Sequence, residues 1–237
     1  MKKIGISLCA ITMMLATTTQ SFAQKVDEII QKHIVAIGGE ENWKKVNSMK
    51  MEGSVSAQGM EIGVTQTIVH NKGMRQDISV MGMTGYTIMT PTEGWNFMPF
   101  GGQTEPEAMT ADMVNEGKSK LDIQGDLIDY KTKGTKIDLL GKDDVEGTEV
   151  FKLKVVKKDG KEKTLFIDTK NYFVIREIEK IKADGKEMEV PVDFSNYQKQ
   201  ANGIVFPMSM GTQQGEITFK SVEINAKVDE SIFKPSK

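Results

Sequence analysis

Two histidines are the first residues to weigh for chemistry in this 237-residue chain. His33 falls on the apolar side of an N-terminal helical pattern, and His70 ends a strand pattern just before a turn. Neither has a second histidine at metal-ligand spacing, and His-Glu-x-x-His does not occur, so both read as structural rather than as a zinc site. Gly141-Lys142 sits in a glycine-containing stretch, but the spacing is not that of a phosphate-binding loop and Asp143 stands where a serine or threonine is required. No Gly-x-Ser-x-Gly elbow is present. Carboxylates occur in pairs, Asp126 with Asp129 and Asp143 with Asp144, in turns and on polar strand faces where solvation accounts for them. A general-acid carboxylate would need an apolar setting that raises its pKa. The expectation is therefore no enzyme, no cofactor and no metal.

Methionine is what stands out. Ten of the sixteen methionines lie between Met49 and Met113, beside Trp95, Phe97, Met98 and Phe100. Methionine is unbranched and polarizable, suited to irregular cores or to surfaces that accept varied apolar partners. The pattern fits an ordinary methionine-rich core and equally an adaptable hydrophobic cavity.

The elements that must position these residues are legible in the periodicity. Val26, Ile29, Ile30, His33, Ile34 and Ile37 recur at helical spacing, and Gly38-Gly39 supplies a helix stop. A second short helix from Glu40 to Val46 carries Trp43. From Ser48 the period changes to two. Met49, Met51 and Val55 alternate with polar residues, then Ile62 to Ile68, Met74 to Val80, Tyr86 with Ile88, and Trp95 to Met98, separated by glycine-containing turns. Pro106 is placed to open a helix with Ala108, Met109, Met113 and Val114 on one face, and Asp122 to Tyr130 reads as a further helical stretch. Gly101-Gly102 would be the hinge of such a lid. Seven more strand patterns follow between Lys136 and Ile224, joined in two places by Asp-Gly turns. The count is about ten strands in one domain, with no linker dividing them.

The first residues have the order of a secretory signal: Lys2 and Lys3, an apolar run from Ile4 to Ala16, and Ser21-Phe22-Ala23 as a small-residue cleavage site. The run is too short for a membrane span, which needs about 20 apolar residues. Cys9 lies inside the run, so cleavage before Gln24 removes it and excludes disulfides and thiol chemistry. The expected division is 1–23 signal peptide and 24–237 a single mature, periplasmic domain. That domain has 29 basic and 33 acidic residues, interspersed, with no basic stripe to neutralise a phosphate backbone. Nucleic acid is not an expected partner, and no membrane span is expected after cleavage.

The C-terminal third carries a resemblance. Asp193-Phe194-Ser195-Asn196-Tyr197, Asn202-Gly203-Ile204-Val205-Phe206-Pro207, the run from Gly215 to Asn225 and Val228-Asp229-Glu230-Ser231-Ile232-Phe233 resemble the outer-membrane lipoprotein-sorting proteins of the LolA/LolB-like superfamily, in the variety common in Bacteroidota. The opening Val26 to Ile30 with Ile37-Gly38-Gly39 and Trp43, the run Gly125 to Tyr130 and Leu140-Gly141-Lys142 are similar to the same proteins. The resemblance implies a mainly β fold: an unclosed antiparallel β-barrel, or half-barrel, of about eleven strands, with N-terminal helices covering the open side as a lid. In the well-studied carriers that cavity holds the acyl chains of a lipoprotein crossing the periplasm, and Arg75 is the nearest counterpart by position of their lid arginine. Shielding acyl chains is physically necessary, since each exposed CH₂ costs about 0.8 kcal/mol.

The leading expectation is a periplasmic binding or carrier protein for lipidated or other hydrophobic ligands, acyl chains above all. The alternative is an envelope protein-interaction or sensor module with the same fold and no transported ligand, its partners being envelope proteins. The residues expected to face the ligand are Met49, Met51, Val55, Ile62, Ile78, Val80, Ile88, Trp95, Phe97, Met109 and Met113.

Overall fold

The computed structural model describes residues 24–57, 59–183, 186–213 and 215–236. The expected signal segment, 1–23, lies outside them. Among the described residues no helix is long and apolar enough to cross a membrane.

Helix α1 covers residues 24–36. Its apolar stripe is buried as the spacing predicts, with Val26, Ile29, Ile30 and Ile34 between 0% and 6% exposed. Each such side chain stabilises the fold by about 1.5–3 kcal/mol relative to an exposed position. Gly38 (φ 102°) and Gly39 (φ 90°) end the helix in left-handed conformations. Gly38 is needed for a second reason: a Cβ there would overlap the Gly203 carbonyl oxygen. The close approach lets Val205 N–H donate to the Ile37 carbonyl (2.8 Å). Helix α2, Glu40–Lys44, follows at once and buries Trp43, whose Nε1 donates to the Ile37 carbonyl (2.9 Å).

The strands form one antiparallel sheet of thirteen. The chain enters at its middle with β1 (Ser48–Ala57) and steps outward through β2 (Met60–Val69), β3 (Gly73–Val80), β4 (Met83–Met89) and β5 (Gly94–Phe97) to β6 (Glu107–Ala108) at one edge. It then crosses to the opposite edge, β7 (Lys136–Val145). From there β8 (Thr148–Val156), β9 (Glu162–Asp168), β10 (Val174–Ala183), β11 (Lys186–Lys199) and β12 (Val205–Thr212) step back inward. The last strand, β13 (Gly215–Ile224), lies beside β1. The edges β6 and β7 do not pair, so the barrel is unclosed: a half-barrel with helices on its open side.

The crossover carries helix α3 (Ala111–Gly117), a 3-10 turn (Lys118–Leu121) and a series of turns to residue 134. Leu121, Leu127 and Ile128 are buried in the same cluster as the apolar stripe of α1, so this segment closes over the inner face with the helices. Two expectations are corrected here. Pro106 leads into the short strand β6, and the helix starts only at Ala111, where the Thr110 side chain caps it by accepting from Met113 N–H. Residues 122–130 are turns, not a helix, because Gly125 (φ 72°) and Asp129 (φ 52°) are left-handed. Thirteen strands replace the expected ten or eleven, and β6 is the one with no strand pattern in the sequence.

Two smaller apolar clusters sit on the outer face. One joins Tyr86 and Ile88 to Phe233 of the C-terminal segment; the other joins Val145, Val150 and Phe166.

Candidate functional site

Strand alternation decides which residues face the helices. In β9, Leu165 and Ile167 are buried in the inner cluster, and Lys163 is in phase with them. Lys163 also stands opposite Val155 of β8, itself an inner residue. In β10 an irregularity between Val174 and Arg176 shifts the register, so that Val174 pairs with Ile167 and Glu177 with Leu165. Val174 and Glu177 therefore share the inner face although three positions separate them. Across from these strands, Leu127 and Ile128 anchor the 122–130 segment in the core, with Asp126 beside them.

These elements line an open-sided cavity of about 230 Å³. α1 and α2 contribute His33, Ile37 and Trp43; the crossover contributes Ile123 to Ile128; β9 and β10 contribute Lys163, Leu165, Val174 and Glu177. Phe194, Tyr197, Val205, Phe206 and Pro207 from β11 and β12 complete the wall. The wall is mainly apolar, as ligand pockets are.

Its polar groups are tightly bonded to one another. Lys163 Nζ lies 2.6 Å from Asp126 and 2.7 Å from Glu177, and Lys157 reaches Asp126 from behind at 3.2 Å. All four side chains are less than one-fifth exposed. Burial works against the charge on Lys163, but Glu177 and Asp126 outweigh it and raise its pKa well above that of an ordinary lysine. Burial likewise works against the Asp126 carboxylate, yet Lys163 and Lys157 hold its pKa below the usual value. The sequence reading of Asp126 as a solvated turn carboxylate is thus corrected: it is buried, paired and ionised. The Tyr197 hydroxyl donates to the Val174 carbonyl (2.6 Å), and burial, helped by the negative Glu177, pushes its pKa up. Its ring stacks on Phe173 at 4.2 Å.

His33 is 6% exposed and lies 2.8 Å through Nδ1 from the Tyr172 carbonyl. A carbonyl can only accept, so Nδ1 carries the proton and Nε2 holds a lone pair. Burial lowers the pKa of this histidine, with the Tyr172 bond opposing. Lys163 is held protonated and Asp126 ionised, so neither is poised for proton transfer near neutral pH. Among the described residues no group of three or more His, Cys, Asp or Glu side chains is placed to hold a metal.

None of the eleven residues expected to face a ligand lines this cavity. The pairings of β1 to β4 put Met49, Met51, Val55, Ile62, Ile78 and Val80 on the inner face. There Met49 and Met51 are packed against the helices in the main core. Ile88, Trp95 and Phe97 point to the outer face, where they pack with Tyr86 and Phe233. Met109 is partly buried against the main core, and Met113 is 49% exposed on α3. Arg75 also faces outward: it pairs with Asp77 (2.8 Å), lies 4.3 Å over the Tyr86 ring and donates to the Ile232 carbonyl, clamping the C-terminal segment. It is not a cavity arginine. Lys163, Glu177, Tyr197 and His33 were not picked from the sequence as site residues. The visible signal for the first was a lysine in phase with Leu165 and Ile167.

No family model and no curated protein matches the chain. Solved structures do. A LolA superfamily protein from Nitrosomonas europaea superposes with a TM-score of 0.53 at 14% identity, over 88% of this chain and 96% of that one. An outer membrane lipoprotein-sorting protein domain from Vibrio parahaemolyticus gives 0.51 at 14% identity, over 87% and 94%. A DUF1329 family protein from Desulfovibrio piger gives 0.55 at 14% identity, over 88% and 97%. The resemblance read in the C-terminal strands and the opening helix holds at the level of architecture: this chain has the fold of the LolA superfamily and of outer membrane lipoprotein-sorting domains.

Proposed function

We propose that the protein is an exported, periplasmic binding protein that carries a hydrophobic or lipidated ligand between its helices and the half-barrel. The observation that carries this reading is the apolar-walled cavity under α1 and the 122–130 segment. Two proteins of the same fold bear lipoprotein-sorting or LolA descriptions, which supports it. At roughly 30 Å³ per water-sized group, the 230 Å³ cavity holds about eight such groups. It takes the end of an acyl chain or one small amphiphile. A longer chain would need α1 and the crossover to lift, and would then lie on the inner-face residues Met49, Met51, Val55, Ile62, Ile78 and Val80. Met109 and Met113 ride on the segment that would move.

A second reading, an envelope protein-interaction module without a transported ligand, is favoured by one observation: Met49 and Met51 are 2% and 4% exposed, so the inner face is packed shut there. Native mass spectrometry of protein purified from its own envelope separates the two. The carrier reading expects a co-purified apolar mass in the wild type, and its loss in the cavity-filling variant Val174→Trp. Absence of any apolar mass, together with no uptake of added fluorescent acyl probe, would refute it.

A further inference from the structure

Resting on that reading, we infer that the cavity selects a neutral amphiphile whose polar group donates a hydrogen bond, a hydroxyl or amide N–H, with His33 Nε2 as its acceptor. The first support is geometric. His33 lines the cavity and is fixed by its Nδ1–H bond to the Tyr172 carbonyl on the strand-connecting turn between β9 and β10. That bond determines the tautomer and leaves Nε2 as an acceptor. Nε2 has no hydrogen-bond partner among the described residues, although the side chain is more than nine-tenths buried. It is also not sealed in. Trp95 Nε1 is the one buried side-chain nitrogen or oxygen found without a partner among the described residues, so His33 Nε2 touches open space, and the space beside His33 is the cavity. A ligand that filled the cavity with apolar atoms alone would strip Nε2 of any hydrogen bond, whereas a donor on the ligand would satisfy it.

The second support is the charge of the wall. Asp126, Glu177 and Lys163 are its ionic groups, and Lys163 is held between both carboxylates at 2.6 and 2.7 Å. No lining cation is left for an anionic headgroup. A fatty-acid carboxylate would meet two carboxylates and a histidine lone pair, with only the neutral Gln124 amide on the wall to offset its desolvation. The tyrosine does not alter this, since its hydroxyl proton is already given to the Val174 carbonyl. An alcohol or amide brings no charge and supplies the missing proton. Ile37, Trp43, Leu165 and Val174 offer the apolar wall for a tail of about six carbons at roughly 30 Å³ per group.

The test uses three probes of one chain length, 1-hexanol, 1-chlorohexane and hexanoate, titrated by calorimetry at pH 7.5 into the full mature chain and into His33→Leu and His33→Gln, with a thermal melt on each variant. The expected order in the wild type puts hexanoate weakest. In His33→Leu the ratio of hexanol to chlorohexane affinity should fall about fivefold, the equivalent of one net hydrogen bond, and His33→Gln, which keeps an acceptor, should restore part of it. An unchanged ratio in a folded His33→Leu, or hexanoate binding tighter than hexanol in the wild type, would overturn the selectivity while leaving an apolar cavity in place. If His33→Leu does not fold, the wild-type order and the Gln variant still decide. Binding of none of the three probes would overturn the carrier reading itself and this inference with it.

Discussion

The inner face of the half-barrel is two different materials. At β1 to β4 it is methionine and isoleucine packed against α1, with Met49, Met51 and Met74 no more than 5% exposed. At β9 to β12 it is hollow, and the space is bounded by a lysine, two carboxylates, a tyrosine and a histidine set among apolar side chains. The two halves differ in how their side chains are held. Methionines fill irregular gaps and adapt, whereas a fully bonded ionic cluster is rigid and loses much if one member goes. The half that looked most adaptable in the sequence is packed shut at Met49, Met51 and Met74, though Met60, Met81 and Met83 stay exposed, and the half with fixed polar groups is open.

The largest expected effect breaks the hollow half. Lys163→Met leaves Asp126 and Glu177 buried without their cation, and should cost about 4 kcal/mol in urea unfolding. Removing Lys220 from its pair with Glu61, both more than 60% exposed, should leave the midpoint unchanged. Equal effects of the two substitutions would mean that the cluster is no more than surface charge. In the filled half, Met49→Ala should cost about 3 kcal/mol, because a cavity opens in a packed core.

A pH titration probes the hollow half. The folded pKa of His33 is depressed below its ordinary value of 6.5, so the unfolded chain takes up a proton before the folded one. Its contribution to stability is present above 6.5 and is lost as pH falls below that value. Of the groups facing it across the cavity, Lys163 and Tyr197 have raised pKa values and Asp126 a lowered one, so these three keep their charge state near 6.5. Asp126, with its own pKa depressed, adds a further loss only as pH falls below 3.8. Denaturation midpoints measured from pH 8 to 5 should fall in the wild type and fall less in His33→Gln. The smallest effect is a gain: Val174→Ile adds one methylene beside the void and should raise stability by up to about 0.8 kcal/mol.

Much of this fold was readable from periodicity. The α1 stripe, its glycine stop, the turn at Asn71 to Gly73 (Asn71 φ 57°) and most of the strands lie where alternation and turn residues point. The missed parts have physical causes. Both alternating sets of β4 are apolar, Tyr86 and Ile88 against Met89, so the pattern alone does not say which set meets the helices; the C-terminal Phe233 covers the first. Glu177 reaches the cavity only through the β10 register shift, which leaves no mark in the sequence. Asp126 was read as a solvated turn residue because its burial depends on Leu127 and Ile128 docking against strands far away in the chain. The partner of His33 is 139 residues distant.

The most direct test of the central claim, that the ligand enters the hollow half and not the methionine-packed one, is methyl NMR of the folded mature chain titrated with 1-hexanol. The largest shifts are expected at Ile37, Leu165, Val174 and Val205, all on the cavity wall, with Met49, Met51 and Met74 nearly unmoved. Shifts concentrated on those three methionines, with the cavity methyls unmoved, would contradict it.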